Sequence, residues 1–452
     1  MAADVIIVGG GTAGLGAARA ARTVGASPVL VTDGPIGGDC TLTGCIPSKT
    51  LNDASRRGMR FADAKERLQA TGAHVAATES ADVLRGEGID VIEGRATLTG
   101  DGRVSVAGRS FAGERIVIAT GARASIPPIP GLSDVGYLTN ESLFELDRLP
   151  KRLAIIGAGP LGSEMALAFA NFGTAVTLVE ARDRVLPNEE SEASAVIARA
   201  MNRAGVRVLV GSGVSSVAST TSGQSLSVGD TTVEVDEVLV ATGRRPNTEG
   251  LGLEAAGIEL GSVGEIVVDD RLRTSVAGVS AAGDVTGLLP FTHAADEQAR
   301  MAVHHALGKG VRWRYDASST PWATFTSPEV ARVGVLESEA PRGAMVAHLP
   351  LAHVDRAITD DRVDGFVKLI AAPKRLTRGL FGGRLVGATI VAERAGEMIH
   401  APTMALRLGM FVGRLAQVTT PYPTWSTAVQ QAAGQFFQPV SGLRARPAER
   451  TR

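Results

Sequence analysis

Two copies of one short pattern constrain this chain more than anything else in it. Asp4-Val-Ile-Ile-Val8 reads as a buried parallel strand, and Gly9-Gly10-Gly11-Thr12-Ala13-Gly14 turns it into an apolar helix over Leu15–Thr23. Gly9, Gly11 and Gly14 have the spacing that lets backbone approach a pyrophosphate at a helix N-terminus. The arrangement returns 148 residues later as Leu153–Ile156, then Gly157-Ala158-Gly159-Pro160-Leu161-Gly162, a helix, and a strand Ala175–Val179 ending in Glu180. In the first copy the second strand, Pro28–Val31, ends at Thr32-Asp33. An acid at that place bonds a ribose hydroxyl. Two fingerprints, each in its strand–turn–helix setting, imply two bound dinucleotides and an α/β chain with two Rossmann-like units.

Short strands ending in Ala119-Thr120-Gly121 and Ala241-Thr242-Gly243 close the two units. Around Gly264–Thr274 the chain is expected to return to the first unit, where Gly278-Val-Ser-Ala-Ala-Gly283-Asp284 puts a carboxylate just after a buried strand. The expected domains are therefore 1–148 with 266–319, and 149–265. From 320 to 440 strands and helices continue without phosphate-binding turns, as in an α+β domain. The basic end, 441–452, reads as a disordered tail.

Lys and Arg number 46 and Asp and Glu 47, for a net charge of −1, so charge gives no argument for nucleic acid or a membrane surface. No apolar run reaches the roughly 18 residues of a membrane span, and no basic segment precedes the first strand. The expectation is a soluble, cytoplasmic protein. In that compartment a close cysteine pair is more often redox-active than structural. Both cysteines of the chain lie in one stretch, Gly37-Gly38-Asp39-Cys40-Thr41-Leu42-Thr43-Gly44-Cys45-Ile46-Pro47-Ser48-Lys49. On a regular helix, positions five apart are roughly 8.7 Å apart at Cα, beyond the limit of about 7 Å for a disulfide. If they bridge, the backbone bends between them, and Gly44 permits the bend.

Taken together these motifs resemble the class I flavoprotein disulfide reductases, the family of glutathione reductase, dihydrolipoamide dehydrogenase and mercuric reductase. The resemblance also covers Gly157–Glu164, Ala282-Gly283-Asp284, Thr324–Ala331 and Gly387-Ala388-Thr389. It implies FAD on Gly9, Gly11, Gly14, Asp33, Gly38, Lys49, Thr120, Gly121 and Asp284, and a nicotinamide nucleotide on Gly157, Gly159, Gly162, Glu180 and Gly243. It further implies a redox-active Cys40–Cys45 disulfide, with Cys45 facing the flavin and Cys40 attacking the acceptor, and Lys49 and Glu164 as the ion pair beside the flavin. The third domain would pair two copies into a homodimer. Glu180 accepts hydrogen bonds from a 2′-hydroxyl and repels a 2′-phosphate, which favours NADH over NADPH, although Arg182 and Arg184 stand close by.

The chain departs from the family pattern at four places. Thr32 stands where the FAD-binding acid is usual, Asp39 replaces a small residue before the first cysteine, and Pro160 stands where some members carry a tyrosine. A charge at Asp39 is expected to raise the neighbouring thiol's pKa. Near the C-terminus, Thr419-Thr420-Pro421-Tyr422-Pro423-Thr424-Trp425-Ser426-Thr427 puts Tyr422 and Thr427 in place of the family's proton-shuttling His and Glu. The last histidine is His400, with His293 and His353 as distant substitutes of more structural character. Mercuric reductases share the tyrosine but need a second, C-terminal cysteine pair, which this chain lacks. The expected activity is NAD(P)H oxidation through FAD and the Cys40–Cys45 pair to a small-molecule disulfide or other thiophilic acceptor, or the reverse. Tyr422 is expected to offer a hydrogen bond there. The alternatives are a quinone, oxygen or metal-ion reductase and, more remotely, a flavin-bound redox sensor.

Overall fold

The computed structural model describes residues 2–100, 102–309, 312–373 and 380–449. These fall into two compact units, one of Met1–Pro127, Leu138–Arg148 and Thr242–Ala317, the other of Pro128–Tyr137, Leu149–Ala241 and Ser318–Arg452.

In the first unit, β1 (Ala2–Val8) is a run of apolar residues that pairs in parallel on both sides, as a strand buried on both faces must. One neighbour is β2 (Pro28–Thr32), which in turn pairs with β3 (Asp90–Glu93); the other is the strand Arg109–Ile118, flanked by Val279–Ala281. Val8 is in register with both Val31 and Ile118, so the carboxyl ends of the central strands finish level at Gly9, Thr32 and Ala119. This is the edge at which parallel sheets bind ligands. Helix α1 (Thr12–Thr23) buries Ala17, Ala18, Ala20 and Ala21 in a core shared with Ala295, Ala299 and Ala302 of the helix Thr292–Ala306.

The second unit repeats the plan. Arg207–Val210, Ala175–Glu180, Arg152–Ile156 and Glu237–Val240 form a parallel sheet in that order. The same unit contains a six-stranded antiparallel sheet whose order is Trp322–Thr324, Glu329–Gly334, Arg384–Ala392, Phe366–Ala372, Met345–Pro350 and Arg446–Pro447. Its face is covered by helices including Thr427–Gly434 around a core of Val, Leu and Ala. The α/β class and the C-terminal interface domain are as the motifs indicate.

Two boundaries differ from the expectation. The chain returns to the first unit at Thr242, not 266, because Arg244–Pro246 already pairs antiparallel with Ala122–Ala124 and the Leu98 N–H donates to the Leu251 carbonyl at 2.8 Å. The tail is also tied down as far as Glu449: Val346 is paired with Arg446, and the Arg446 guanidinium grips Glu337, with Nη2 3.1 Å from Oε2. The last three residues of the expected tail lie outside the described residues.

Buried charges join the six-stranded sheet to the segment Glu189–Glu192 at the start of the helix Ser191–Arg203. Lys368, 1% exposed, donates to Glu192 at 2.7 Å and lies 2.8 Å from Glu337 and 3.4 Å from Glu190. Arg332 pairs with Glu189 at 2.9 Å and lies over the Trp322 ring, 4.2 Å from its centroid. Burial pushes Glu337 upward, but Arg446, the Glu449 N–H and Lys368 outweigh it and hold the carboxyl at about 2. Replacing Lys368 with alanine leaves carboxylates buried without their cation, and unfolding in urea should show a loss of about 3–5 kcal/mol. Because Glu337 titrates below its unfolded value, its contribution is present above about pH 4.3 and fades as pH falls toward about 2. Glu337→Gln should accordingly cost most near neutrality and least in acid.

Candidate active site

The stretch holding both cysteines folds as two short helices with a break between them. Helix α2 (Gly38–Leu42) carries Cys40 and α3 (Cys45–Arg56) begins at Cys45. The break falls at Gly44, where a Cβ would lie 2.7 Å from the Asp39 carbonyl oxygen, so glycine is required by the close packing of the bend. Cys40 and Cys45 stand as two thiols and not as a disulfide. Cys45 occupies the first turn of a three-turn helix, whose unpaired N–H groups favour negative charge, and its Sγ lies 3.2 Å from the Thr292 hydroxyl. The Cys40 thiol is pushed up by its hydrogen bond to Cys45, then by burial and by Cys45's charge, against opposing bonds from Thr292 and Thr12.

The Asp39 carboxylate, half-exposed, is paired with Arg244, whose Nε lies 3.0 Å from Asp284 Oδ2, so a guanidinium stands between the two carboxylates. Burial pushes the Asp284 carboxyl up, and Arg244 opposes it. Arg244 and Thr292 were not singled out by sequence. Arg244 carried one signal, its place directly after the Ala241-Thr242-Gly243 triplet; Thr292 belongs to no motif.

These groups face one cavity of about 750 Å³, within the roughly 300–1,000 Å³ of small-ligand sites. Gly9, Gly11, Asp33, Gly38, Thr120, Gly121 and Asp284, all expected at the first nucleotide, line it, together with both cysteines. Asp33 is exposed at its edge, while Thr32 is buried and donates to the Gly34 carbonyl at 3.0 Å. The Thr120 hydroxyl donates to the Asn247 carbonyl at 2.7 Å, which fixes the floor. Lys49 lies one turn beyond Cys45 on α3, with its ammonium 3.4 Å from the Ser48 hydroxyl.

In the second unit the turn Gly157–Gly162 repeats the same constraint, since a Cβ on Gly162 would lie 1.9 Å from the Gly157 carbonyl oxygen. Glu180 accepts from the Ala158 N–H at 2.8 Å and from the Arg182 N–H at 3.0 Å. The Arg182 guanidinium is engaged with Asn188 at 2.7 Å and that of Arg184 with the Pro187 carbonyl at 2.9 Å. Glu164, 3% exposed, accepts from the Phe325 N–H at 2.9 Å. Gly243, expected at the nicotinamide nucleotide, belongs instead to the first unit, where its carbonyl accepts from the Ser125 N–H at 2.9 Å. Tyr422 is 74% exposed, and its hydroxyl donates to Asp355 at 2.8 Å. Thr427 shares hydroxyl contacts with Thr420 and Thr424, at 3.2 and 3.3 Å. His293 is exposed and stacks on Phe291; His353 is exposed two residues before Asp355.

Residues 3–308 match the pyridine nucleotide-disulphide oxidoreductase family, and residues 320–433 match that family's dimerisation domain. The chain belongs to this family. Its members depend on FAD and use NAD(P)H. A mercuric reductase of Streptomyces lividans is 36% identical over 97% of this chain and 97% of its own length. An NAD(P)H dehydrogenase (quinone) of Mycobacterium tuberculosis is also 36% identical, over 97% of this chain and 94% of its own. Among solved structures, the Cu(II) complex of the HOCl-induced flavoprotein disulfide reductase RclA from Escherichia coli superimposes with a TM-score of 0.87 at 30% identity, covering 96% of this chain and 99% of that one. Among the described residues of this flavoprotein, no helix is long and apolar enough to cross a membrane.

The first cavity suits FAD on its own geometry. Helix α1 starts at Gly11 with no side chain capping it and no acid in its first turn, which leaves its N–H groups for a pyrophosphate. Gly38 approaches so closely that a Cβ on it would lie 2.8 Å from Gly11 Cα, and its φ of +58° disfavours a side chain. Gly38→Ala should therefore lower the FAD content of the desalted protein, read as flavin absorbance per chain. A variant that retained a full complement of flavin would overturn this account of the cradle.

Proposed function

We propose that the chain carries an electron pair from NAD(P)H, through FAD, to the Cys40–Cys45 pair and on to a disulfide or another thiophilic acceptor. The observation that carries this reading is that both thiols line the cavity suited to the flavin, with Cys45 at a helix N-terminus. FAD, when bound, accepts hydride from the nicotinamide and hands the electron pair to the cysteines. Arg244 and Asp284 orient the cradle from below, and Thr292 holds the Cys45 sulfur. Cys40 then loses its proton and attacks the acceptor, with the Cys45 sulfur as the nearest base. The same groups run in reverse as a dithiol oxidase using NAD⁺.

NADH is the favoured donor. Glu180 sits at the end of its strand, where a carboxylate accepts from a 2′-hydroxyl and repels a 2′-phosphate, and the arginines beside it each turn a nitrogen to Asn188 or Pro187. Two copies form the working unit: the C-terminal domain matches the dimerisation family, and Met404, Leu408, Val418 and Tyr422 expose apolar surface there. In this reading Tyr422 of one copy completes the acceptor site beside Cys40 of the other.

The second reading is a quinone or metal-ion reductase. It needs no proton for a leaving thiolate, which accords with Tyr422 and Thr427 in place of a His–Glu pair and with the names of the quinone dehydrogenase and mercuric reductase relatives. The Cys40→Ser and Cys45→Ser variants separate reduction through the thiols from reduction by the flavin directly. A dithiol relay loses turnover in both, keeps a thiolate–flavin absorbance band on anaerobic NADH titration in Cys40→Ser, and loses the band in Cys45→Ser. Undiminished turnover of the acceptor in both variants would assign reduction to the flavin alone.

A further inference from the structure

We infer that Glu79 is a positioning residue for the two thiols: by accepting a hydrogen bond from Thr41 it anchors helix α2 and makes the Cys40–Cys45 dithiol the stronger reductant. This deepens the proposed function and rests on its reading of the pair as the electron relay. The two ends of the pair are held very differently. Cys45 opens the 12-residue α3, where the Ser48 N–H already donates to the Gly44 carbonyl at 3.0 Å. Cys40 sits in α2, which is 5 residues long, and a helix so short is not stable by itself. Thr41 is the one buried residue of α2, 4% exposed, and its hydroxyl donates to Glu79 Oε2 at 2.9 Å. Glu79 lies in the link that follows helix α4 (Phe61–Ala77), which packs on both α2 and α3. That link is itself fixed. The Glu79 N–H donates to the Ala76 carbonyl at 3.1 Å, and Ser80 caps the following helix by accepting from the Val83 N–H at 3.3 Å. Gly37 makes the room, since a Cβ there would lie 2.8 Å from Glu79 Oε2 and 2.9 Å from Thr41 Cβ. The other tie on α2, between Asp39 and Arg244, is a half-exposed ion pair, a kind that holds weakly.

The redox consequence has a definite sign. Oxidation of the pair breaks the two S–H bonds, forms one S–S bond, and passes two electrons and two protons to the acceptor. In the disulfide the new bond holds α2 to α3 whatever else holds it. In the dithiol that constraint is gone, and the anchor is what chiefly limits how far Cys40 strays from Cys45. Holding two reacting groups together raises their effective concentration, so the anchored dithiol closes to the disulfide more readily than a free one. Loss of the anchor frees the reduced state more than the oxidised state and shifts the equilibrium toward the dithiol. The same electrons are then handed to an acceptor less readily. The anchor works through a hydrogen bond and not through charge, so an amide oxygen can serve in place of the carboxylate.

The test measures the dithiol–disulfide equilibrium of the FAD-loaded protein directly. Parent and variants are equilibrated in graded ratios of reduced and oxidised dithiothreitol, and of reduced and oxidised glutathione, then quenched in acid. Their free thiols are alkylated and counted by mass. The chain has 2 cysteines, so the count reports this pair alone. Thr41→Val and Glu79→Ala should each lower the equilibrium constant for disulfide formation about threefold to tenfold, the scale of one hydrogen bond. That raises the potential of the two-electron couple by about 14–30 mV. The double variant should go no further than either single one, and Thr41→Ser and Glu79→Gln should lie near the parental value. Equal shifts in Glu79→Gln and Glu79→Ala would show that the charge of Glu79 acts, and would overturn the anchor. Unmoved equilibria in Thr41→Val and Glu79→Ala, or shifts that add in the double variant, would overturn it too. A parental pair that forms no internal disulfide in any of these mixtures would instead remove the relay itself, and the inference with it.

Discussion

The close approach of two backbone segments, with no side chain between them, makes the first site possible. Gly37 bridges Gly11, its N–H donating to the Gly10 carbonyl at 2.9 Å, and Gly38 lies against Gly11 Cα. That contact seats the start of α2 on the start of α1, so the thiols and the uncapped helix N-terminus open onto one cavity. The level ends of β1 and its neighbours decide where this happens. A methyl group at Gly14 would lie 1.8 Å from the Gly9 carbonyl oxygen, so the turn itself admits nothing larger than hydrogen. The chemistry of the cysteines depends on this packing as much as on the cysteines themselves.

Charge is used differently in the two units. In the first, Arg244 lies between Asp39, next to the reactive thiol, and Asp284, and pairs with both carboxylates. In the second, Lys368 and Arg332 are buried against Glu189, Glu190, Glu192 and Glu337, tying the start of the helix Ser191–Arg203 to the six-stranded sheet. Buried ion clusters contribute little net stability compared with apolar packing, yet they are costly to break singly. Here they tie Glu189–Glu192 to the six-stranded sheet, within the compact unit that takes in Leu149–Ala241 and Ser318 onward.

What could be read in the sequence was what local backbone geometry requires. The glycine fingerprints, the bend at Gly44 and the carboxylate at Asp284 are demanded by close approach or by strand ends, and such demands leave a pattern of residue types at fixed spacing. The return at Thr242 was missed because it is set by an antiparallel pairing of Arg244–Pro246 with Ala122–Ala124, and three-residue strands leave no periodicity. The pairing of Asp39 with Arg244 was missed for a related reason. Its partner stands 205 positions away, and nothing local marks the pair. The tail looked disordered from its basic composition alone, whereas Arg446 is held by Glu337, another partner distant in sequence.

Tyr422 shows most directly how a distant partner can reverse a local reading. Taken alone, a tyrosine in place of a histidine is a weakened donor that still offers one hydrogen bond to a leaving group. Beside Asp355 that hydrogen is already committed, and the residue becomes an acceptor with a negative charge behind it. The substitution of Thr427 for an acid then ceases to be a simple loss, because a carboxylate is present but enters from another helix and points at the phenol's proton. In this conformation the Tyr422 hydroxyl gives its one hydrogen to Asp355 and has none left for another acceptor.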